Sequence, residues 1–375
     1  MNCHADDANN TLNNIPNIIH FICISPMRFE LYHYIAIKSA YKMHKPDIIY
    51  VYVDVEPRNN FYWECIKKYI TIEIIIPPKK FRGRSIPYPQ YQADIIRLEK
   101  LIERGGIYLD IDNFSLKPFT DLINNPNNKL IMGASPYKGL SVVEKLQDVD
   151  AISNSIIMTI PNHPLLTKWY EEMDQYMDDK IKWAYHAVCL PRDIINRNKE
   201  LANIVTILDW HTYFCPFDWE QYPYIFDENF NHMMYKLDNF YTIVFYQTMV
   251  YDTYLKNLNI HFFKNNNNIF TQLFKKYVKF PINKLDQLYD MLWALYKGGD
   301  WKILDEYATL YNDMYSTHKN NININSLFLL SYAQYQLEKY TECRQNCEII
   351  IKSNNIEDNI KNMAKYFLEK CNVIS

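Results

Sequence analysis

Glycine is scarce in this chain, with seven in 375 residues: Gly83, Gly105, Gly106, Gly133, Gly139, Gly298 and Gly299. No spacing among them makes G-x-G-x-x-G, G-x-x-x-x-G-K-[ST] or G-x-S-x-G, which excludes the dinucleotide fingerprint, the P-loop and the nucleophile elbow. A phosphate must therefore be held without a glycine cradle. The eight cysteines form no C-x-x-C pair and no His-containing metal spacing. Neither structural zinc nor a disulfide framework is expected, and reduced thiols in a cytoplasmic setting are the simplest reading. No apolar run approaches the roughly 18 residues of a membrane span, so no integral membrane segment is expected. An excess of one charge is missing as well: 40 Lys and Arg against 43 Asp and Glu leave a net −3. That balance gives no bulk electrostatic reason to bind nucleic acid or anionic lipid.

What is present is an ordinary globular composition, 48% hydrophobic and 22% charged, long enough for two domains at about 150 residues each. Residues 1–14 are polar and Asn-rich and read as a tail. From Ile15 short apolar runs alternate with amphipathic ones: strand Asn17 to Ser25, helix Leu31 to His44, strand Asp47 to Val53, helix Asn59 to Lys68 and strand Ile70 to Ile76. This order predicts an α/β domain with a mostly parallel sheet. Lys79 to Pro89, rich in proline and basic residues, reads as an exposed loop. A helix over Gln90 to Arg104 stops at Gly105 and Gly106, and strand Ile107 to Asp112 follows at once. Further strands are expected at Lys129 to Ala134, Ile152 to Thr159, Ile204 to Leu208 and Tyr241 to Tyr246, with a helix near Pro164 to Met177.

After the Asn tract at Lys264 to Asn268 the strand signals stop. Residues 15–264 thus form the α/β domain, 265–283 an Asn-rich linker with a connecting helix, and 284–375 an all-helical domain. Within the last, Leu288, Met291, Leu295, Gly299, Trp301, Leu304 and Ala308 match Leu327, Leu330, Gln334, Glu338, Tyr340, Cys343 and Cys347, 39 residues on. These are the packing positions of a tetratricopeptide-like helical hairpin; a generic helical bundle accounts for them as well. Such a module would serve a protein partner.

The sharpest chemical signal lies in Tyr91 to Pro118, YQADIIRLEKLIERGGIYLDIDNFSLKP. In a strand Asp110 and Asp112 share a face, roughly 6 to 7 Å apart, while Leu109 and Ile111 face the core. Two adjacent carboxylates at the end of a buried strand favour a bound hard cation or a raised pKa. On the preceding helix Asp94 projects into the apolar stripe with Arg97 one turn on. A charge there needs a partner. Either the two form a structural ion pair, or they face the site and hold a polyhydroxylated ligand. His186 and His211 read as satisfied core or surface residues.

The segment A-D-I-I-R-L-E-K-L-I-E-R-G-G-I-Y-L-D-I-D, followed by Pro118, resembles the D-x-D region of the Och-type mannosyltransferases, the alpha-1,4-galactosyl- and N-acetylglucosaminyltransferases and the bacterial capsular sugar transferases. Ile15 to Ser25, I-P-N-I-I-H-F-I-C-I-S, is similar to that family's opening strand. The resemblance implies a GT-A fold and a retaining transfer of a hexose or N-acetylhexosamine from a nucleotide-sugar donor, a UDP-sugar before a GDP-sugar, to a glycan or protein acceptor. It implies Mn²⁺ or Mg²⁺ at Asp112 and Asp110, donor-sugar hydroxyls held by Asp94 and Arg97, and the nucleotide and sugar against Ile22, Tyr108, Asp110 and Asn154. Phe214, Pro216 and Trp219 resemble an acceptor-side aromatic segment.

The chain departs from the pattern at Cys23, where the family has Trp, at Ser25, at Cys189 to Pro191 and at Val244, where a late His is expected. Those departures leave room for an inactive transferase-like scaffold acting through the C-terminal helices. A phosphotransferase of the haloacid dehalogenase kind also places D-x-D after a strand. It needs a Thr two residues beyond the second Asp, where this chain has Phe114.

Overall fold

The computed structural model of the chain describes residues 14–86, 88–136, 148–177, 184–217, 221–258, 260–277, 285–354 and 356–374. The expected tail up to residue 13, the loop at 137–147, Trp219 and residues 278–284 lie outside them. Two compact units are present. One comprises the described residues of Met1–Glu56, Ile66–Lys256 and Asn268–Val278, the other those of Pro57–Cys65, Asn257–Asn267 and Lys279–Ser375.

The first unit is an α/β domain. Its strands are β1 (Ile18–Cys23), β2 (Ile48–Val53), β3 (Thr71–Ile74), β4 (Lys80–Phe81), β5 (Arg84–Ser85), β6 (Gly106–Leu109), β7 (Asn113–Ser115), β8 (Leu130–Pro136), β9 (Val149–Thr159), β10 (Thr206–Asp209) and β11 (Thr242–Val244). Seven of them make one sheet in the order β3-β2-β1-β6-β9-β8-β10. All neighbours pair in parallel except β9, which runs antiparallel to both β6 and β8. Ile19 and Phe21 of β1, Ile49, Val51 and Val53 of β2, and Ile107 and Leu109 of β6 bury one face of these parallel strands, while His20, Tyr50, Tyr52 and Tyr108 stand on the other. The expected loop after Pro78 contains a small hairpin, β4 with β5.

From β1 the chain steps to β2 and β3 on one side, and β6 returns on the other. In open α/β sheets that reversal leaves a crevice at the carboxyl ends of the two central strands. The principal helices here are α1 (Leu31–His44), α2 (Pro89–Arg104), α3 (Pro164–Glu172), α4 (Leu190–Arg197) and α5 (Ile269–Tyr277). Pro89 sits in the first turn of α2, where its missing N–H costs nothing. Tyr91, Ile95, Leu98 and Leu101 bury its inner face. Gly105 and Gly106 then take left-handed φ values of 64° and 100°. A Cβ on Gly106 would stand 2.6 Å from the Ile18 carbonyl and 2.9 Å from His20 Nε2. Only glycine lets β6 approach β1 this closely. His20 secures the junction, bonding Tyr52 Oη and the Gly105 carbonyl at 2.8 Å each.

The second unit contains α6 (Leu285–Gly298), α7 (Trp301–Lys319), α8 (Ile324–Gln336), α9 (Tyr340–Lys352) and α10 (Asp358–Ile374), each packed on the next in the chain. The inner positions Leu288, Met291, Leu295, Leu304 and Ala308 are buried, as are Leu327, Leu330, Gln334, Cys343 and Cys347. The turns joining the helices of each pair repeat in detail. Gly299 and Glu338 both adopt left-handed φ, 72° and 60°. The N–H of Asp300 donates to the Leu295 carbonyl at 3.2 Å, and that of Lys339 to the Gln334 carbonyl at 2.9 Å.

Candidate active site

Strand β6 ends at Leu109, three residues short of the expected Asp112. The Asp110 N–H makes one more bond, to the Ser155 carbonyl, and the Asn113 N–H then donates back to the Asp110 carbonyl at 2.9 Å, closing a turn. The turn carries the chain out of the large sheet and into β7, which pairs antiparallel with β11 through Asn113–Val244 and Ser115–Thr242. Asp110 and Asp112 therefore belong to a turn between two sheets rather than to one face of a strand.

Strand β11 leads back to the same turn. The Phe245 N–H donates to the Asp112 carbonyl at 2.9 Å, and the Gln247 N–H to Asp112 Oδ2 at 2.7 Å. Between them Tyr246 is left-handed, φ 48°, which reverses the chain so that the first N–H of the short helix Gln247–Val250 meets the carboxylate. A non-glycine, bulky residue in that region is costly and marks a local constraint. Gln247 was not legible as a site residue: no motif marks it, and its contribution is made by the backbone. The Val244 side chain, where a His is expected, is buried beside Asn113.

A cavity of about 760 Å³ opens over this turn, within the size of small-molecule sites. Ile22 and Ile24 from the end of β1, Arg97 and Tyr108, Asp110 and Asp112, Asn154, and Tyr246 and Gln247 are among its lining residues. The structure thus brings together the expected Ile22, Arg97, Tyr108, Asp110, Asp112 and Asn154. Asp94 is adjacent but is not among the lining residues. The Arg97 guanidinium joins them. Its Nη2 lies 2.9 Å from Asp94 Oδ1, its Nη1 donates to the Asn154 carbonyl at 2.5 Å and lies 3.4 Å from Asp110 Oδ1. It also sits over the Tyr108 ring at 4.3 Å. The Tyr108 hydroxyl donates to Asp110 Oδ1 at 2.7 Å, and Asn154 Nδ2 to Asp94 Oδ1 at 2.9 Å.

His186, read from sequence as a filler of core or surface, completes the arrangement. It is fully buried, and its Nε2 lies 2.9 Å from Asp94 Oδ2. The signal for it was weak, an isolated His ahead of the Cys189 to Pro191 departure. Phe214 packs with Trp210 against Gly133 in the core and does not line the cavity, whereas Trp210 and His211 do.

Electrostatically the two aspartates oppose each other. Burial, then the Asp110 charge, raises the Asp112 carboxyl to about 7 against the pull of the Gln247 N–H. Burial also raises Asp110, countered by Arg97 and the Tyr108 hydroxyl. Among the described residues no cluster of three or more His, Cys, Asp or Glu is placed to enclose a metal ion. Two carboxylates at the wall of an open cavity are instead the partial, all-oxygen donor set of a Mg²⁺ or Mn²⁺ site completed by water and ligand phosphates. A divalent cation would relieve the repulsion that raises their pKa. On that donor chemistry the residues fit the ion.

A sequence family described as "Glycosyltransferase sugar-binding region containing DXD motif" matches residues 32–132, the segment holding Asp94, Arg97, Tyr108, Asp110 and Asp112. The chain is 26% identical over 272 residues to Glucan organizing enzyme 1 of Cryptococcus neoformans var. grubii, covering 70% of this chain and 71% of that one. Among solved structures it is similar to the galactosyltransferase LgtC in complex with donor and acceptor sugar analogs, at 16% identity over 71% of this chain and 98% of that one, TM-score 0.38. It is also similar to the apo-form glycosyltransferase GlyE of Streptococcus pneumoniae TIGR4, at 12% identity over 73% of this chain and 63% of that one, TM-score 0.41. The D-x-D region and the site built around it make this chain a glycosyltransferase.

Proposed function

We propose that this glycosyltransferase is metal-dependent and retaining, and that it moves a hexose or N-acetylhexosamine from a nucleotide-sugar, a UDP-sugar before a GDP-sugar, to a glycan or protein acceptor. The observation that carries the reading is the meeting of Asp110, Asp112, Arg97 and Asn154 at the carboxyl ends of β1 and β6, on the wall of one cavity. That crevice is where an α/β sheet of this kind takes a nucleotide. A chain without a glycine cradle has there two carboxylates suited to Mn²⁺ or Mg²⁺. Held by Asp110 and Asp112, the ion would supply charge stabilisation to a departing diphosphate.

The chain's own residues orient the sugar. Arg97, its guanidinium pinned by carboxylates on two sides, presents a fixed cationic fork to hydroxyls, and Asn154 adds its amide beside it. Asp94 supports both. The apolar ends of Ile22 and Ile24 give the nucleotide a dry wall. Retention of configuration is supported by the sequence resemblance alone, and a glycan acceptor is in keeping with the name of the glucan-organizing relative. The cytoplasmic setting is supported by the scattered thiols alone; among the described residues no helix is long and apolar enough to cross a membrane.

The repeated turns at Gly299 and Glu338 support a further reading, that residues 284–375 form a tetratricopeptide-like module for a protein partner. The test of the catalytic reading is donor hydrolysis and thermal stabilisation across UDP- and GDP-sugars, with Mn²⁺ or EDTA, for wild type and Asp112→Asn. Metal-dependent turnover of one donor, lost in Asp112→Asn, is expected. No turnover and no metal-dependent melting shift with any donor would refute the catalytic reading and leave the scaffold reading.

A further inference from the structure

Among the described residues the buried His186 makes one side-chain hydrogen bond, and that bond reaches a carboxylate which itself stands behind the cavity wall. Asp94 has both oxygens engaged: Oδ1 takes Arg97 Nη2 and Asn154 Nδ2, each at 2.9 Å, and Oδ2 takes His186 Nε2 at 2.9 Å. Asp94 is 6% exposed and does not line the cavity, whereas Arg97 and Asn154 do. The two groups that face a ligand are therefore both held by the oxygen opposite the one His186 holds.

His186 is itself held on several sides. Its carbonyl accepts from Trp169 Nε1 at 2.6 Å, and its ring stands edge-on to Tyr91 at 4.2 Å. It belongs to a single π-helical turn, Tyr185–Cys189, entered through Ala184 in the left-handed region at φ 59°. Such turns recur at functional sites. Because Asp94 accepts, Nε2 donates, and among the described residues Nδ1 is buried without a hydrogen-bond partner. A buried polar atom without a partner is a standing cost to the fold. A merely space-filling side chain at this position would avoid that cost.

We infer that His186 is a positioning residue which acts through Asp94, fixing the carboxylate plane and with it the Arg97 fork and the Asn154 amide against the donor sugar. The inference rests on the glycosyltransferase reading and deepens it. Without the imidazole, Asp94 can turn about its last torsion, and both cavity groups lose their common anchor.

The experiment is a double-mutant cycle on the full chain with the donor and metal identified for wild type. His186→Ala, assayed well below its melting temperature and normalised to folded protein, is expected to lower kcat roughly ten- to a hundredfold. The donor KM, dominated by the diphosphate, should change much less. His186→Gln, whose terminal amide N–H can stand where Nε2 stands, should recover most of the loss. In an Asp94→Asn background His186→Ala should cost little more, because the two act as one unit. Losses that add in full, or an unchanged kcat in His186→Ala beside a lowered melting temperature, would overturn the inference and leave His186 a structural residue. A wild type without donor turnover would instead refute the underlying reading, and donor-independent melting of the variants would show it separately.

Discussion

The Gln247 N–H donates to Asp112 Oδ2 at 2.7 Å across 135 residues of chain. That single bond ties the end of the small sheet to the second carboxylate of the D-x-D pair, and it opposes what burial and Asp110 do to the same group. With burial and Asp110 prevailing, the carboxyl titrates near 7 in the folded, metal-free chain. A carboxyl whose folded pKa lies above its unfolded value contributes stability below about 3.8, the ordinary Asp value, and that contribution is lost as pH rises through 7. Metal-free Asp112→Asn should therefore melt above wild type at pH 8, with the gap closing toward pH 5. Mn²⁺ should raise the wild-type melting temperature more at pH 8 than at pH 6, because binding at pH 6 must displace a proton. Scanning fluorimetry with EDTA and with Mn²⁺ at the two pH values decides this. A metal-free variant less stable than wild type at pH 8 would contradict it.

Arg97 gives a prediction about substitution within one charge class. Its guanidinium meets Asp94, Asp110 and the Asn154 carbonyl from a 6% exposed position. A lysine ammonium has no planar fork and can satisfy at most part of that set. Arg97→Lys is expected to fold but to lose at least about tenfold in kcat/KM, since each charge-assisted bond is worth about 1.5 to 3 kcal/mol. Arg97→Met removes the cation altogether from the buried Asp94 carboxylate and the half-buried Asp110 and should destabilise the α/β unit by about 3 to 5 kcal/mol. Urea titration read at the tryptophans measures the second effect. An Arg97→Met variant as stable as wild type would mean that the carboxylates had other compensation.

Most of this was legible in the sequence, and the exceptions share a cause. The alternation of apolar runs marked β1, β2, β3, β6, β8 and β9 to within a few residues, because most of these strands are buried apolar stretches that leave a plain hydrophobic signal. The Gly105 and Gly106 stop located the start of β6 because both residues need left-handed φ. What escaped was set by tertiary hydrogen bonds. The turn at Asp110 to Asn113 reads as strand until the partner β11 is known, and α4 carries a proline and three charged residues within two turns. His186 and Gln247 reach the site across 92 and 135 residues by one hydrogen bond each, and neither leaves a periodicity or spacing to read. Asp94 was visible as an anomaly, a charge in an apolar stripe, and its position behind the wall was not.

The helical repeat can be tested through its turns. Gly299 and Glu338 hold equivalent left-handed positions, but only one of them is glycine. An L-residue pays roughly 1 kcal/mol or more in that region. Glu338→Gly is therefore expected to stabilise the α8–α9 pair by about 0.5 to 1 kcal/mol. Gly299→Ala should weaken α6–α7 by a similar amount or somewhat more, for conformational reasons alone, since a Cβ there meets nothing nearer than Trp301 at 3.6 Å. Hydrogen exchange of the amides in each helical pair would show opposite shifts. If both substitutions moved exchange in the same direction, the two turns would not be equivalent and the repeat would be a coincidence of sequence.

Acid should unfold the α/β unit earlier than its modest net charge suggests. Burial lowers His20 to about 4 and His33 and His44 to about 3, from an ordinary 6.5. Each is neutral in the fold: His44, for example, bonds Ser115 Oγ at 2.9 Å and accepts from the Phe119 N–H. Below 6.5 the unfolded chain takes up protons that the folded chain refuses, so the stabilisation present at neutral pH is lost as pH falls toward 4. Asp112 runs the other way over part of the same range, since its protonation in the fold is favourable as pH drops below 7. The wild-type urea midpoint should accordingly fall only gently from pH 7 to 6 and steeply below 5.5. Asp112→Asn, which lacks the compensating group, should fall from 6.5 downward without the shallow region. Parallel curves for the two proteins would mean that the aspartate and the histidines do not oppose one another in this way.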